Sequence, residues 1–387
     1  MANLNDVMEM AELLKSKSVI AIEDHCVAVR NRNASCRKCA QVCIAGAITI
    51  DKNEINIDAG VCVGCGACVA VCPTAAIVSL DPMDEDLALA VSKAMANSPS
   101  IACIACARIA SKQLGDPDKY ATVPCLGRVD EPLLIALAAA GVQDIVLVDG
   151  TCSTCKFGKV SPFVDDVVNV AADMLEMQGC EAIVTRASEF PPELLVEDER
   201  KAMGAARRGF FTQAGGYARN VAVSAADKAI ADALHQSKQQ KLHTLRERLG
   251  AGKSGKMPTF EASRNMTMLD DLSSMGEPVV PELFSRHFAE VSIDPEKCSG
   301  CGMCVLFCPT SALKYSTVEE SRDEERRVVE FQVADCVQCN LCADVCLREC
   351  LEVSPMVSTA ELFDFEPRLM EIPRPKKGAS LFKRHGK

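Results

Sequence analysis

Cysteine is the residue that can do chemistry in this sequence: 23 of them among 387 residues, against no tryptophan and three tyrosines. They fall into three groups. Eight lie between residues 26 and 72, five between 103 and 155 and nine between 298 and 350, while Cys180 stands apart. "CVGCGACVAVCPT" holds Cys62, Cys65, Cys68 and Cys72, and "CSGCGMCVLFCPT" holds Cys298, Cys301, Cys304 and Cys308. "CVQCNLCADVC" adds Cys336, Cys339, Cys342 and Cys346. Each reads C-x2-C-x2-C-x3-C. Three thiolates two residues apart on a tight loop can take three corners of one [4Fe–4S] cube, and the fourth, turned onto a helix start, points at a neighbouring cube. The spacing therefore predicts crossed sets. Cys62, Cys65 and Cys68 pair with Cys43, and Cys298, Cys301 and Cys304 with Cys346. Cys336, Cys339 and Cys342 pair with Cys308.

The remaining set departs from the pattern. Cys26, Cys36, Cys39 and Cys43 open with a nine-residue gap where two residues are usual, and Ile44 stands where a proline commonly follows. A longer loop can still bring Cys26 to the fourth corner, because a modest extension adds little closure entropy. Cys26, Cys36, Cys39 and Cys72 are thus expected to hold one more cube, the alternative being that Cys26 is a buried thiol beside a three-iron or labile cluster. Between the two motifs, "AITIDKNEINID" reads as a hairpin turning at Lys52 and Asn53. This stretch of about 60 residues resembles bacterial two-cluster ferredoxins. The C-terminal group repeats the resemblance, with the charged insertion "STVEESRDEERR" between the strand-like runs "ALKYS" and "RVVEFQVA". Cys350 follows as a ninth thiol, able to stand in for Cys346 or to be a bystander.

The middle group has a different frame. "ATVPC", "DIVLVDG" and "EAIVTR" are apolar runs of the kind found in buried parallel strands. Between the first two, Asp130 can cap a helix that has Pro132 in its first turn and ends at Gly141. A second helix is expected over roughly 162–178. This β-α-β-α-β order implies a small parallel sheet, with Cys125 and Cys152 following the carboxyl ends of strands, where such sheets bind ligands. Cys103 with Cys106, "CLGRVD" and "GTCSTCKFG" resemble the delta subunit of methyl-viologen-reducing hydrogenase, the hydrogenase iron–sulfur subunit family. The likeness covers about 90 residues, although the closing pair is C-x2-C and the family's His-Tyr ending is missing. It implies one [2Fe–2S] cluster on four of Cys103, Cys106, Cys125, Cys152 and Cys155, leaving one thiol spare. It also implies electron exchange with a hydrogenase, a formate dehydrogenase or a flavoprotein. A Cys-x-x-Cys pair beside an α/β pattern is also the arrangement of thiol–disulfide exchange, the alternative for this domain.

Composition bounds the rest. With 48% hydrophobic and 25% charged residues and a net charge of −11, the chain can build two or three sizeable cores. "MANLNDVMEMAELLKSKS" lacks the form of a secretory signal, and no run of about 18 apolar residues is present to span a membrane. So many thiols at metal-ligand spacing fit a reducing, cytoplasmic setting, with peripheral membrane association left open. "LGAGKSGK" has Glu247 where a phosphate loop needs glycine, and "VGCGACVA" lacks the third glycine of a dinucleotide fingerprint, so no flavin or nucleotide site is seen. From Lys201 to Lys256 there are eleven Lys or Arg against three Asp or Glu, a solvated linker or a docking segment for an acidic partner. Aromatics are too sparse there for nucleic-acid binding.

The expected plan is α+β ferredoxin-like modules at both ends flanking a central α/β domain with a small parallel sheet. The segments are an N-terminal helix (1–24), the first two-cluster domain (25–82) and the delta-subunit-like domain (83–195). A basic, largely helical linker (196–286), the second two-cluster domain (287–358) and a basic tail (359–387) follow. No catalytic residues are identified. The expected function is a cytoplasmic electron-transfer subunit of an oxidoreductase complex, carrying four [4Fe–4S] clusters and one [2Fe–2S] cluster between protein partners. A redox sensor, an assembly factor for a metalloenzyme, or a reductase in its own right are the alternatives.

Overall fold

The computed structural model describes residues 18–150, 152–196, 257–317 and 324–375. Residues 1–17 of the expected N-terminal helix, the basic stretch 201–256, the middle of the charged insertion and the tail beyond 375 lie outside the described residues, and Val19–Ala21, expected as part of that helix, form a strand paired with the first module.

The first module is built on two strand pairs. β1 (Val19–Ala21) runs antiparallel to β4 (Ile77–Ser79), and β2 (Ile48–Asp51) to β3 (Glu54–Ile57). Lys52 and Asn53 join β2 to β3 with φ of 47° and 64°, the two left-handed positions of a tight hairpin turn. The Asn53 side chain then donates to the Val29 carbonyl at 2.8 Å. Inside, Val19, Val29, Ile48, Val69 and Ile77 pack with the buried Cys26, Cys39, Cys68 and Cys72, so the thiols belong to the core itself.

The longer helices follow in order: α1 (Asp84–Asn97), α2 (Glu131–Ala139), α3 (Ser161–Met177) and α4 (Ser263–Met275). The first three enclose four parallel strands in the order β6 (Ala121–Val123), β5 (Ile101–Cys106), β7 (Asp144–Val148) and β8 (Ile183–Ala187). Burial on both faces explains the continuous apolar runs: Ile104, Ile145, Leu147 and Val148 are fully buried. Asp130 caps α2 by accepting from the Leu133 amide, and Gly141 leaves it with φ of 88°. β5 is the strand that the sequence pattern does not single out. "IACIAC" is short, and its cysteines suggest a loop of ligands before they suggest a central strand.

The last module contains β9 (Glu282–Phe284), β10 (Glu290–Ile293), β11 (Leu313–Tyr315), β12 (Arg326–Phe331), β13 (Leu351–Ser354), β14 (Met356–Ser358) and β15 (Arg368–Pro373). β10 pairs with β13 and β9 with β14, while β12 lies between β11 and β15. Two segments do more than the sequence pattern suggests. Helix α4, within the expected linker, buries Met268, Leu269 and Leu272 completely and packs on α2. Arg264 of α4 donates to the Val69 and Ala70 carbonyls, at 3.2 and 2.9 Å. β15, within the expected tail, forms the edge of the β11–β12 sheet, and its end runs against the Gly300 loop so closely that a side chain there would meet the Pro373 backbone.

Candidate metal centres

The cysteine loops share one local conformation. Gly66, Gly302 and Asn340 each adopt a left-handed conformation (φ 80°, 75° and 62°) just before a one-turn helix, Ala67–Ala70, Met303–Phe307 and Leu341–Asp344. This reverses the chain so that the second and third sulfurs of the loop face the same space, and asparagine is the residue other than glycine that best tolerates the turn. The fourth cysteine lies beyond the helix, not at a helix start as the spacing suggests, because the helix already begins before the third cysteine. Cys43, Cys72 and Cys346 each accept from the amide four residues on, that of Ala47, Ala76 and Cys350, at 3.3, 3.2 and 3.5 Å. The sequences "CPT" repeat a further contact, with the Thr74 and Thr310 hydroxyls near the Cys72 and Cys308 sulfurs.

These turns gather the thiols into sets. Cys43, Cys62, Cys65 and Cys68 line one cavity, and Cys26, Cys36, Cys39 and Cys72 line another. Cys308, Cys336, Cys339 and Cys342 surround a third. Cys304 lies within electrostatic reach of Cys298, Cys301 and Cys346, and Cys301 is exposed. Cys26 thus stands with its set despite the long gap. Burial pushes the Cys39, Cys304 and Cys336 thiols up to about 12, with neighbouring sulfurs adding to the shift. Such crowded thiols become thiolates only when a cation takes up their charge, which is what an iron–sulfur core supplies. Among the described residues no group of three or more His, Cys, Asp or Glu is arranged for a single metal ion. Sulfur-only sets around a shared space, with amides directed at sulfur, fit a cluster. Cys350 is buried 3.4 Å from the Cys346 sulfur.

In the middle domain a cavity of about 490 Å³ opens at the carboxyl end of the sheet. Cys106 ends β5, Cys125 follows β6, and Cys152 and Cys155 follow β7; all four line the cavity. Cys103 does not. It lies three residues before Cys106 in the same strand, and alternation along a strand sends the two side chains to opposite faces. Cys103 is 1% exposed, and burial alone lifts its thiol to about 12. Arg186 is held by Asp149 (2.6 Å), Asp165 (2.5 Å) and the Ser161 hydroxyl (2.8 Å), and its Nη2 reaches the Cys152 sulfur at 3.4 Å. Burial and the Asp149 carboxylate raise the Cys152 thiol to about 11 against the opposing pull of Arg186.

The sets also stand next to one another. Cys125 lies within electrostatic reach of Cys65, Cys68 of Cys39, Cys339 of Cys36, and Cys342 of Cys304. Starting at the middle cavity, the five sets therefore form a single file that ends at the exposed Cys301. Close packing fixes the first junction: Gly127 lies against Cys65 and Ala67, and the buried Arg128, paired with Asp84, leaves no room for a side chain at Gly66.

A buried ion pair helps to dock the middle domain on the last module, a contact between side chains that the sequence pattern does not reveal. Glu131, the first residue of α2, is fully buried and gripped by Arg286 at 2.5 and 2.6 Å, with His287 Nε2 at 3.2 Å. Gln338, inside the Cys336–Cys342 loop, donates to the Ser285 and Phe288 carbonyls and so ties this pair to the sulfurs. Burial works against the Glu131 carboxylate, but His287 and Arg286 outweigh it and hold the carboxyl at about 2. Glu131→Gln is expected to cost about 3–5 kcal/mol, since one partner of a buried pair is left uncompensated. The lowered pKa makes this contribution fully present above the ordinary value of 4.5 and lost as pH falls toward 2. Unfolding temperatures of wild type and variant should therefore differ at pH 7 and converge between these limits; a pH-independent gap would rule out the ion pair as its source.

Residues 34–76 and 289–350 match the 4Fe-4S dicluster domain family. Ferredoxin-3 of Nostoc sp. is 32% identical over 101 residues, which cover 24% of this chain and 98% of that protein. An uncharacterized ferredoxin of Methanocaldococcus jannaschii is 35% identical over 57 residues, 15% of this chain and 68% of its own length. Identity reaches 50% over 42 residues, 11% of this chain, with one subunit of an ion-translocating oxidoreductase complex from Methanosarcina acetivorans, of which 16% is covered. No helix among the described residues is long and apolar enough to cross a membrane.

Proposed function

The chain belongs to the ferredoxin family of 4Fe-4S dicluster domains, and from that premise we propose that it is an electron-transfer subunit with four [4Fe–4S] sites and one [2Fe–2S] site. The observation that carries this reading is the single file of five sulfur sets, each within electrostatic reach of the next. When bound, such clusters supply one-electron couples whose potentials depend on charge, hydrogen bonds to sulfur and exposure.

The residues divide the work accordingly. The four fourth-position cysteines, Cys43, Cys72, Cys308 and Cys346, cross between sites and hold neighbouring sets at fixed separation. Amides on the Cys43, Cys72, Cys298 and Cys346 sulfurs stabilise negative charge there. Cys106, Cys125, Cys152 and Cys155 make the two-iron site, with Cys103 spare; the likeness of "CLGRVD" and "GTCSTCKFG" to the hydrogenase delta subunit supports this. One end of the file opens through a cavity lined by Arg108, Lys156 and Arg186, and the other presents Cys301 beside the last module's surface. Two accessible ends suit two protein partners, a redox enzyme of formate dehydrogenase, hydrogenase or flavoprotein type and its acceptor. The named role of the Methanosarcina relative, a subunit of an oxidoreductase complex, is in keeping with such an assembly.

Iron and sulfide analysis of anaerobically purified full-length protein, with Mössbauer and EPR spectra, tests the proposal. About 18 irons with a two-iron component are expected, four cubes and one pair. About 16 irons without that component would remove the middle domain from the relay. Fewer than two cubes would overturn the reading altogether.

A further inference from the structure

The nine residues between Cys26 and Cys36 fold into a device that joins the two outer modules. Cys26 leads directly into the one-turn helix Val27–Arg30, and the Arg30 amide closes it on the Cys26 carbonyl at 2.9 Å. Val27 and Ala34 pack with Leu341 and Val345 of the last module in a separate buried cluster. Ser35 donates to Asp344 Oδ2 from both its amide and its hydroxyl, at 2.7 and 2.9 Å. The insertion thus clamps the helix that carries Cys342.

Arg30 is the buried charge in this seam. It is 4% exposed, its Nε donates to the Phe307 carbonyl at 3.1 Å, and its Nη1 and Nη2 have no hydrogen-bond partner among the described residues. Phe307 directly precedes Cys308, and the Cys308 and Cys339 sulfurs, and to a smaller extent the Asp24 carboxylate, lie within electrostatic reach of the guanidinium. An arginine stays protonated even when buried, and a buried charge without a full set of partners is costly. Anionic sulfur sites offset that cost. Lys38 is a second cation at the seam, but it acts on Cys36 and Cys72 as well as Cys339. Arg30 bears on the far module's set.

Building on the reading of these sets as cluster sites, we infer that Arg30 raises the reduction potential of the cluster held by Cys308, Cys336, Cys339 and Cys342. Reduction adds one negative charge, which a fixed neighbouring cation favours in a poorly screened interior. Arg30, supplied by the first module, thereby favours electron residence on the far side of the module junction. A two-residue gap after Cys26 would leave no chain to carry it there.

The test is an EPR-monitored redox titration of anaerobic full-length protein, with the signal abolished by Cys336→Ala marking the cluster concerned. Arg30→Gln keeps a donor for the Phe307 carbonyl and removes the charge; Arg30→Lys keeps the charge. The glutamine variant is expected to lower the reduction equilibrium constant about tenfold, about 59 mV for one electron, while the lysine variant stays near wild type. Equal potentials in the two variants would overturn the inference, as would loss of the signal from both, which would make Arg30 a packing residue. If Cys336→Ala removes no four-iron signal from the wild-type spectrum, the cluster reading beneath the inference fails instead.

Discussion

Cys43→Ala is expected to abolish the same four-iron signal as Cys65→Ala and to leave intact the signal that Cys36→Ala abolishes. The reason is the turn after the helix Lys38–Val42. Cys43 takes an extended conformation there (φ −72°, ψ 98°), and its sulfur, fixed by the Ala47 amide, faces the cavity of Cys62, Cys65 and Cys68. Removing one of four thiolates deprives an iron of its protein ligand. Cys72→Ala is the reciprocal case and should match Cys36→Ala. Each variant should lose up to four irons of about 18, among the largest losses a single substitution can cause here. If Cys43→Ala matched Cys36→Ala instead, cysteines close in sequence would share a site and the crossed arrangement would be wrong.

In the middle domain, Cys125→Ala should eliminate the two-iron spectrum while Cys103→Ala preserves it. Cys125 lines the cavity and lies within reach of Cys106 and Cys152 sulfurs as well as Cys65, so its loss also breaks the file at the junction with the first module. Electron transfer between a dye reacting at the middle cavity and the outer clusters should then slow by orders of magnitude. Cys103 is packed in the interior of the sheet, where removing one sulfur costs about 1 kcal/mol of stability and leaves the cavity unaltered. A two-iron signal that disappears with Cys103 and survives without Cys125 would reassign the site.

The two substitutions separate what spacing along the chain conveys from what needs the sheet. Which middle thiol faces away from the cavity depends on Ile101–Cys106 being a strand, because only then do positions 103 and 106 face opposite ways. Composition could have supplied that signal: "IACIAC" contains no residue hostile to a buried strand. Helix α4 leaves a weaker trace in the sequence. Its buried Met268, Leu269 and Leu272 follow a long basic stretch whose charge dominates the pattern, and its apolar face has meaning only against α2.

The local geometry of sulfur is written in the chain. Within each C-x2-C-x2-C-x3-C run the turn is set by neighbouring residues, so spacing indicates which cysteines of one run turn toward the same space. The Lys52–Asn53 hairpin and the Asp130 cap are local in the same sense. The tertiary structure decided everything that joins distant parts of the chain: the order of the five sets, the Glu131–Arg286 ion pair, the edge strand β15 and the burial of Arg30 between modules. Those contacts link residues as far apart as Arg30 and Phe307. They arise from packing, desolvation and strand pairing between segments distant in the chain, and no pattern of neighbours records them.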